Sequence, residues 1–401
     1  MTDYRYLIVG GGMTADSAVK GIRELDKTGT IGVIGAEADA PYERPPLSKG
    51  LWKDQRVDGI WRKASPRSAV LHLGRTVELL DLKERTATDS RGTSYRFEKL
   101  LLATGGTPRK LPFAGAPVIY FRTLADYRSL RELCETGEHF AVIGGGFIGS
   151  EVAAALSMNG KKVTMIFPDE TLGGRVYPPD LGRFVTDYYR QKGVDILSGD
   201  TVTALATVDG RKRIRTKGGR SLEVDGIVAG LGLLPNTALA QTAGLEVDNG
   251  IVVDGLLRTS APDVFAAGDV ASFHNPALDR RIRVEHEDNA NAMGRQAGRN
   301  MAGAGERYTH LPFFYSDLFD LGYEAVGELD ARLDVVEDWK EPFREGVVYF
   351  LREGRVRGVL LWNVWGQVDR ARDLIASMET VHPESLRGRL GNQAPSPAVT
   401  G

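Results

Sequence analysis

Residues 6–15 read YLIVGGGMTA, a short apolar run that ends in a cluster of glycines. The run is typical of a buried strand in a parallel sheet, and the following stretch, ADSAVKGIREL, is typical of a helix. Gly10 and Gly12 allow a tight turn and let the backbone approach a pyrophosphate, while the small Ala15 lets helix and strand pack closely. The stretch therefore predicts a dinucleotide-binding unit; the alternative is a glycine turn that only packs a helix on a sheet.

The residues around this turn complete the unit. A second apolar run, TIGVIG at 30–35, ends just before Glu37. A carboxylate at this distance can accept hydrogen bonds from ribose hydroxyls. Residues 100–106, LLLATGG, predict another buried strand that closes the unit at Ala103, Thr104 and Gly105.

The same pattern recurs about 135 residues later. Residues 140–156 read FAVIGGGFIGSEVAAAL, and the next predicted strand, KKVTMIF, is followed by Asp169 and Glu170. Two such fingerprints imply two dinucleotide sites, normally one for a flavin and one for a nicotinamide. An acid at the second site repels a 2′-phosphate and favours NADH. Arg175 lies a little further on and keeps NADPH open as the less favoured cofactor.

Bulk composition bounds the remaining possibilities. The chain has 401 residues, a formal net charge of -2 and 48 glycines, which suits a globular protein of two or three domains and gives no sign of nucleic-acid or membrane partners. No apolar run approaches the roughly 20 residues that cross a bilayer. The first strand begins almost at the N-terminus, which leaves no room for a signal peptide, and a cytoplasmic location is expected.

Cys134 is the single cysteine of the sequence. A structural disulfide framework and a dithiol redox pair within one chain are therefore both excluded. No metal ion is expected.

Three further stretches have predicted roles. DVFAAGDVA at 263–271 predicts a strand that delivers Asp269, an acid that can accept a hydrogen bond from a ribityl hydroxyl. The section from residue 312 alternates like a sheet, with a hairpin turn at Glu353-Gly354 and a helix in DRARDLIASM. The basic stretch at 211–220 alternates like a hairpin. We interpret it as a solvent-exposed face, in preference to a surface that binds a partner.

The order of these motifs, with PYERPPLSK at 41–49, resembles the two-dinucleotide flavoprotein reductases. The resemblance covers residues 5 to about 380. It is closest to FAD/NAD(P)H-dependent ferredoxin reductase-like flavoproteins of the apoptosis-inducing-factor branch, within the pyridine nucleotide-disulfide oxidoreductases but without the redox disulfide. The segments specific to that branch are VEHEDNANAMGRQAGRNM (284–301), SDLFDLGYEAVGE (316–328) and VLLWNVWG (359–366).

The resemblance implies an α/β protein with two Rossmann-like dinucleotide-binding domains, as in glutathione reductase, and a C-terminal α+β domain that covers the flavin. The expected FAD domain is discontinuous, at 1–113 and 246–311, and the NADH domain spans 114–245. The C-terminal domain spans 312–385, and residues 386–401 are expected to be a disordered tail.

Carried over position by position, the resemblance implies two sets of binding residues. The FAD set is Gly10, Gly12, Ala15, Glu37, Arg44, Lys49, Val77, Ala103, Thr104, Gly105, Arg109, Asp269, His286, Glu287 and Tyr315. The NADH set is Gly144, Gly145, Gly146, Phe147, Ile148, Asp169, Gly232, Glu285, Glu324 and Asn363. Lys49 and Glu151 are expected to form a catalytic ion pair beneath the flavin; the alternative is a salt bridge with no effect on rate.

Two positions depart from the family pattern. Tyr315 replaces the usual tryptophan, and Glu287 stands where related chains have histidine or tryptophan. A carboxylate beside a flavin bears on its redox potential. The mitochondrial leader and acidic insertion of the animal proteins are absent, which argues against a death-signalling role.

The resemblance implies an FAD oxidoreductase that takes hydride from NADH. Because the chain has no cysteine pair, electrons are expected to leave to a small ferredoxin or rubredoxin. One alternative is an NADH:quinone or oxygen reductase. The other is a slow NADH-sensing flavoprotein, whose charge-transfer complex controls partner binding and formation of a homodimer.

Overall fold

The computed structural model describes residues 1–391, apart from the side chain of Pro66. Helices and strands alternate through most of this range. The α-helices are α1 (Met13–Leu25), α2 (Ala64–Ser68), α3 (Leu124–Thr136), α4 (Phe147–Met158), α5 (Pro179–Gln191), α6 (Ala238–Thr242), α7 (Glu287–Met301) and α8 (Val368–Ala376). Short 3-10 turns lie at Pro45–Ser48, Gly50–Trp52, Val57–Ile60, Gly268–Val270 and Pro383–Leu386.

The strands are numbered in the same chain order. Those before residue 200 are β1 (Thr2–Val9), β2 (Ile31–Gly35), β3 (Val70–Leu73), β4 (Val77–Asp81), β5 (Thr86–Asp89), β6 (Ser94–Leu102), β7 (Gly106–Pro108), β8 (Ile119–Tyr120), β9 (His139–Ile143), β10 (Lys162–Phe167) and β11 (Val194–Ser198). Those after it are β12 (Val202–Val208), β13 (Arg211–Thr216), β14 (Ser221–Val224), β15 (Gly226–Ala229), β16 (Leu233–Pro235), β17 (Ile251–Val252), β18 (Val264–Ala266), β19 (Ala271–Asn275), β20 (Arg280–Ile282), β21 (Phe313–Leu318), β22 (Leu321–Gly327), β23 (Asp334–Glu341), β24 (Glu345–Arg352) and β25 (Arg355–Trp362).

The chain forms two compact units. The first comprises residues 1–109, 122–124 and 232–312, and the second comprises 110–121, 125–231 and the chain from 313 onward. The second unit thus holds both the expected NADH region and the expected C-terminal region, and the three-domain division at 113, 245 and 311 stays a prediction. In the expected tail, Leu386 and Leu390 are buried, whereas residues 392–401 lie outside the described residues.

The first unit is built on a sheet whose central strands are parallel. Its order is β3-β2-β1-β6-β5-β4, and β18 pairs with the end of β6, on the edge opposite β1. Strands β1, β2, β3, β6 and β18 run parallel, whereas β4 and β5 form an antiparallel extension. The strands β1 and β2 end in fully buried apolar runs, as expected for a parallel sheet covered on both faces.

The second unit repeats this plan with a five-stranded parallel sheet, β11-β10-β9-β15-β8. In both sheets the strand that leads into a glycine turn lies between the next strand along the chain and a later crossover strand. The predicted α/β class with two Rossmann-like sheets is confirmed. The basic stretch at 211–220 forms β13 and the turn after it, and β13 pairs with β14 in an antiparallel hairpin.

The C-terminal part of the second unit is an antiparallel sheet, β21-β22-β25-β24-β23, followed by α8. The predicted hairpin turn lies at Glu353 and Gly354, whose φ angles are 53° and 72°. Two successive positive φ angles match the right-handed twist of the flanking strands. The predicted α+β character of this region is confirmed.

Helices α1 and α7 of the first unit pack closely because glycines line their contact. A Cβ atom at Gly21 would clash with the carbonyl oxygen of Arg295, and one at Gly298 would clash with that of Ala18. Without side chains at these points the two backbones can touch. This contact fixes the start of α1 relative to α7.

We expect Gly298→Ala to destabilise the protein, although alanine is the better helix former. The added methyl group forces the two backbones apart, an overpacking that costs about 1–3 kcal/mol. Urea unfolding measures the change. The control is Gly59→Ala, because a Cβ there would meet nothing within 4 Å; equal midpoints for the two variants would contradict the packing argument.

Candidate cofactor sites

The first glycine of the motif has the same backbone environment in both units. The N–H of Gly10 donates to Ile34 O at 2.8 Å, and the N–H of Gly144 donates to Ile166 O at 2.9 Å. Their φ angles are 126° and 112°, which L side chains rarely adopt. A Cβ atom at Gly10 would clash with the carbonyl oxygen of Ala103. Each first glycine is therefore required by the fold itself.

The third position of the motif differs between the units. Ala15 is completely buried in the first unit. In the second, a Cβ at Gly149 would clash with the carbonyl oxygen of Gly144. The helix of the second unit therefore starts closer to its own turn, which explains why alanine is accepted at one site and glycine is present at the other.

The middle glycines face open space. Gly12 and Gly146 are the N-cap residues of α1 and α4, and within residues 1–391 no side-chain hydrogen bond caps either helix. A Cβ at Gly146 would meet nothing within 4 Å, and one at Gly12 would meet only Arg44 Nη2 at 3.8 Å. Helix N-termini attract anions through their backbone N–H groups and dipole. Both turns fit a pyrophosphate.

We expect Gly146→Ala and Gly144→Ala to separate binding from folding. Gly146→Ala should keep the melting temperature while weakening NADH binding about tenfold or more, because the methyl group occupies the space for the pyrophosphate. Gly144→Ala should lower the melting temperature because of its positive φ and its clash with Gly230. Calorimetry and NADH titration measure both; unchanged NADH affinity in Gly146→Ala would contradict the assignment.

Glu37 and Arg44 contact each other in the first unit. Arg44 Nη2 donates to Glu37 Oε1, and the hydroxyl of Tyr42 donates to Glu37 Oε2. Arg44 Nη1 also donates to the carbonyl oxygen of Arg122 at 3.1 Å. The structure thus brings the predicted ribose acceptor and the predicted phosphate-binding cation together. Their roles toward FAD stay predictions.

Asp269 lies in the turn after β18, beside the start of α1. A Cβ at its neighbour Gly268 would clash with Thr14 Oγ1. Arg122 Nη2 donates to Asp269 Oδ2 at 2.6 Å. Asp269 therefore faces the same edge of the sheet as the first glycine turn, where the carboxyl ends of the parallel strands meet.

His286 caps the start of α7 and carries no charge at neutral pH. Burial lowers its pKa to about 4; the charge of Asp269 acts in the opposite direction, and the Lys49 cation lowers the pKa further. Asp269 and Lys49 thus both act on the charge of His286 within the first unit. A neutral imidazole can either donate or accept one hydrogen bond at each nitrogen.

Hydrogen bonds to Asn236 fix the loop that carries Thr104 and Gly105. Thr104 Oγ1 donates to Asn236 O at 2.8 Å, and Asn236 Nδ2 donates back to Thr104 O at 2.8 Å. The N–H of Arg109 donates to Gly232 O at 2.9 Å. Gly232, predicted to bind NADH, thus belongs to the first unit. Val77 is buried in β4, and Glu285 accepts from Arg283 Nη1 at 2.6 Å.

In the second unit, Asp169 follows β10 at the predicted position. Arg175 Nε lies 3.8 Å from Asp169 Oδ1, and the Arg175 side chain is 83% exposed. Gly145 packs on the same strand end, since a Cβ there would lie 2.8 Å from the ring of Phe167. The acid that favours NADH and the cation that could accept a 2′-phosphate are therefore neighbours.

We expect Asp169→Ala to shift preference toward NADPH. Removal of the carboxylate abolishes its repulsion of a 2′-phosphate and frees Arg175 to bind that group. The ratio of kcat/KM for NADPH over NADH should rise by about tenfold or more, the scale of one charge-assisted contact. Adding Arg175→Ala should reverse the gain; a ratio that stays high in the double variant would contradict this role of Arg175.

Phe147 packs on the C-terminal sheet, and Tyr315 is part of that sheet. The ring of Phe147 packs on that of Phe314 at 5.0 Å between centroids. Tyr315 on β21 lies opposite Glu324 on β22. Glu324 Oε2 accepts the N–H of Gly366 at 3.2 Å, and burial raises the pKa of Glu324. Ile148 is 40% exposed at the start of α4.

Asn363 has a structural role that explains its residue type. Its φ angle is 51°, a region that asparagine tolerates better than most residues. Its Oδ1 accepts the N–H of Gly322 at 2.8 Å, and its Nδ2 donates to Arg344 O at 2.9 Å. Its predicted contact with the nicotinamide stays a prediction.

Glu151 is buried in α4 and accepts a 2.6 Å hydrogen bond from Ser316 Oγ. This contact joins α4 to β21 within the second unit. Lys49 belongs to the first unit, between two 3-10 turns. The predicted Lys49–Glu151 ion pair stays a prediction.

Three residues of the first unit make contacts that were not predicted from the sequence. Arg122 contacts both Arg44 and Asp269, and Tyr42 donates to Glu37 while accepting the N–H of Leu124. Arg62 joins Asp16 and Glu43. Arg122 and Arg62 lie outside every motif in the sequence. Tyr42 lies inside PYERPPLSK, which was the one indication in the sequence that it belongs to the site.

Comparison with known proteins identifies the family. Residues 4–294 match the model described as pyridine nucleotide-disulphide oxidoreductase. The chain belongs to this family. Residues 297–341 and 336–377 match the C-terminal domain of mitochondrion-associated apoptosis-inducing factor. The chain is therefore an NAD(P)H-dependent FAD oxidoreductase, and the expected cofactors, FAD and NAD(H), are those of the family.

Relatives of this family resemble the chain over almost its whole length. Apoptosis-inducing factor 1, mitochondrial, of Dictyostelium discoideum is 34% identical over 94% of this chain and 79% of its own. The ferredoxin–NAD(+) reductase component of the anthranilate 1,2-dioxygenase system of Burkholderia cepacia is 35% identical over 95% and 96%. The solved covalent putidaredoxin reductase–putidaredoxin complex is similar with a TM-score of 0.89 at 29% identity, covering 98% of this chain and 97% of its own.

Proposed function

We propose that this oxidoreductase passes electrons from NADH to a small external electron carrier, a ferredoxin or rubredoxin. The observation that carries the proposal is the cysteine count. Cys134 is the single cysteine, so the chain has no dithiol of its own to reduce. Two electrons that arrive as a hydride must therefore leave the protein.

The cofactor supplies the chemistry, since a bound FAD accepts hydride and releases electrons one at a time. The chain supplies binding and position. The uncapped N-terminus of α1 is suited to the pyrophosphate, and Asp269 is suited to a hydroxyl of the ribityl chain. His286, neutral at pH 7, adds no charge beside the ring, whereas Lys49 brings one positive charge that can stabilise electron density.

The relatives support a ferredoxin as acceptor. The Burkholderia protein is named as the ferredoxin reductase of a dioxygenase system, and the similar solved structure is a complex with putidaredoxin. Both cover more than nine-tenths of this chain, including its C-terminal sheet. The cytoplasmic location and the absence of nucleic-acid and membrane partners stay predictions; among residues 1–391, no helix is long and apolar enough to span a bilayer.

We expect the FAD-loaded protein to reduce an added ferredoxin with NADH under anaerobic conditions. Turnover should exceed the rate of NADH oxidation by air or by a soluble quinone by about tenfold or more, if the carrier is the acceptor for which the site evolved. Ferredoxins and rubredoxins of several types are tested by their visible spectra. Turnover with quinone or oxygen alone would overturn the proposal in favour of a quinone or oxygen reductase.

A second candidate is a slow NADH sensor. It is favoured by the match of residues 297–377 to the C-terminal domain of apoptosis-inducing factor and by the Dictyostelium relative. Anaerobic NADH titration discriminates between the two. A persistent long-wavelength band together with a larger mass on size exclusion supports sensing through a homodimer, whereas rapid reoxidation without a change of mass rejects it.

A further inference from the structure

One oxygen of Glu43 has no evident donor in the first unit. Its Oε1 accepts from Arg62 Nη1 at 2.7 Å. Its Oε2 is shielded from solvent and has no hydrogen-bond donor among the described residues. A buried acceptor left in this way is costly, so a proton or a partner is required at Oε2.

The group that faces Glu43 is another carboxyl group, that of Glu287. Burial is the largest cause of the raised pKa of Glu43, and the charge and hydrogen-bonding side chain of Glu287 raise that pKa further. Hydrogen bonds also place Arg62, the partner of Glu43, beside α7: Arg62 Nη2 donates to Ser17 Oγ at 2.9 Å, and Ser17 Oγ donates to Asn291 Oδ1 at 3.0 Å. Asn291 lies one helical turn after Glu287, on the same face of α7. Arg62 thereby holds Glu43 at this face.

Two ionised carboxylates cannot hydrogen-bond to each other, because each is only an acceptor. A contact between them requires one proton, as in other carboxyl pairs that share a site. Burial raises the pKa of Glu43 and so favours its protonated form. The proton therefore belongs mainly on Glu43.

We propose that Glu43 and Glu287 share one proton at neutral pH and act as a positioning pair for the FAD site. The pair joins the PYERPPLSK loop to the start of α7. Arg44 follows Glu43 in the chain, and His286 precedes Glu287. The shared proton therefore fixes the positions of two residues that are predicted to bind FAD. This inference rests on the proposed FAD site and not on the identity of the electron acceptor.

The charged groups around the pair do not neutralise both carboxylates, so one of the two carboxyl groups can keep its proton. Asp16 accepts from Arg62 Nε at 3.1 Å, so the Arg62 cation is divided between two acids. Asp288 is engaged by His310 at 2.5 Å. Burial raises the pKa of Glu43, the Arg62 cation opposes this rise, and the Glu287 charge adds to it.

The sign of the pH effect follows from the raised pKa. A carboxyl group whose pKa is higher in the folded protein gives its full stability below the unfolded value of about 4.3 and loses it as the pH rises through the folded value. As the pH rises through the range in which the folded pair loses its proton, the wild-type protein should therefore lose melting temperature relative to Glu43→Gln. FAD should also be released more readily, by up to about tenfold per pH unit for one linked proton.

The test compares Glu43→Gln and Glu287→Gln with wild type and with the control Glu98→Gln, whose side chain is 71% exposed. An amide keeps the size of the carboxyl group and donates permanently to the remaining carboxylate. Infrared spectra of the FAD-loaded protein should show the C=O stretch of a protonated carboxylic acid in wild type and control, and should lose it in either pair variant. Both pair variants should also flatten the pH dependence of melting and of FAD dissociation.

Two results would overturn the proposal of a shared proton. One is the absence of a protonated-acid band in wild type at neutral pH. The other is that melting and FAD dissociation depend on pH in Glu43→Gln and Glu287→Gln as they do in wild type. The double variant provides a check on folding. It removes both carboxyl groups, so the pH dependence of its melting temperature should be as weak as that of each single variant. None of these measurements uses an electron acceptor. A protein that shows the band but reduces no ferredoxin refutes the proposed acceptor and leaves the pair intact.

Discussion

The geometry of the glycine turn at the end of a central parallel strand controls both cofactor sites. Gly10 and Gly144 donate to the neighbouring strand at 2.8 and 2.9 Å, and each lies directly beside the backbone of the strand on the other side. A side chain cannot fit between these strands. The helix that follows must therefore begin at the carboxyl edge of the sheet, with its free N–H groups facing outward. The backbone alone therefore makes this edge suitable for an anion.

Local sequence was sufficient to predict this frame. Strand, glycine turn and helix are encoded within about 20 residues each, and so is the hairpin turn at Glu353 and Gly354, where the two residue types suit positive φ. The third-position difference between Ala15 and Gly149 was also visible in the sequence. Its cause, the closer approach of α4 to its own turn, required the structure.

Side-chain networks across distant parts of the chain could not be predicted. Arg122 reaches Asp269, 147 residues away, and neither periodicity nor a motif indicates such a contact. The same holds for Asn363, whose amide serves the backbone of Gly322 and Arg344. Residue type and spacing predict which groups belong to a site, but the partners of each group depend on how loops fold over the sheet.

The departure at Glu287 illustrates the same limit. As a single residue, it is predicted to place a negative charge beside the flavin and so to affect the redox potential of the flavin. In contact with Glu43 it is one half of a pair that carries a single negative charge. Its effect on the cofactor therefore depends on a proton that the sequence gives no means to place.

The central claim is that FAD is the single two-electron centre of this chain and that its electrons leave the protein. Anaerobic titration of the FAD-loaded protein with NADH, followed by the visible absorbance of the flavin, tests it directly. The account predicts complete bleaching at one equivalent of NADH per FAD, because Cys134 has no partner cysteine in the chain. Consumption of a second equivalent before the end point would reveal another internal acceptor and would contradict the account.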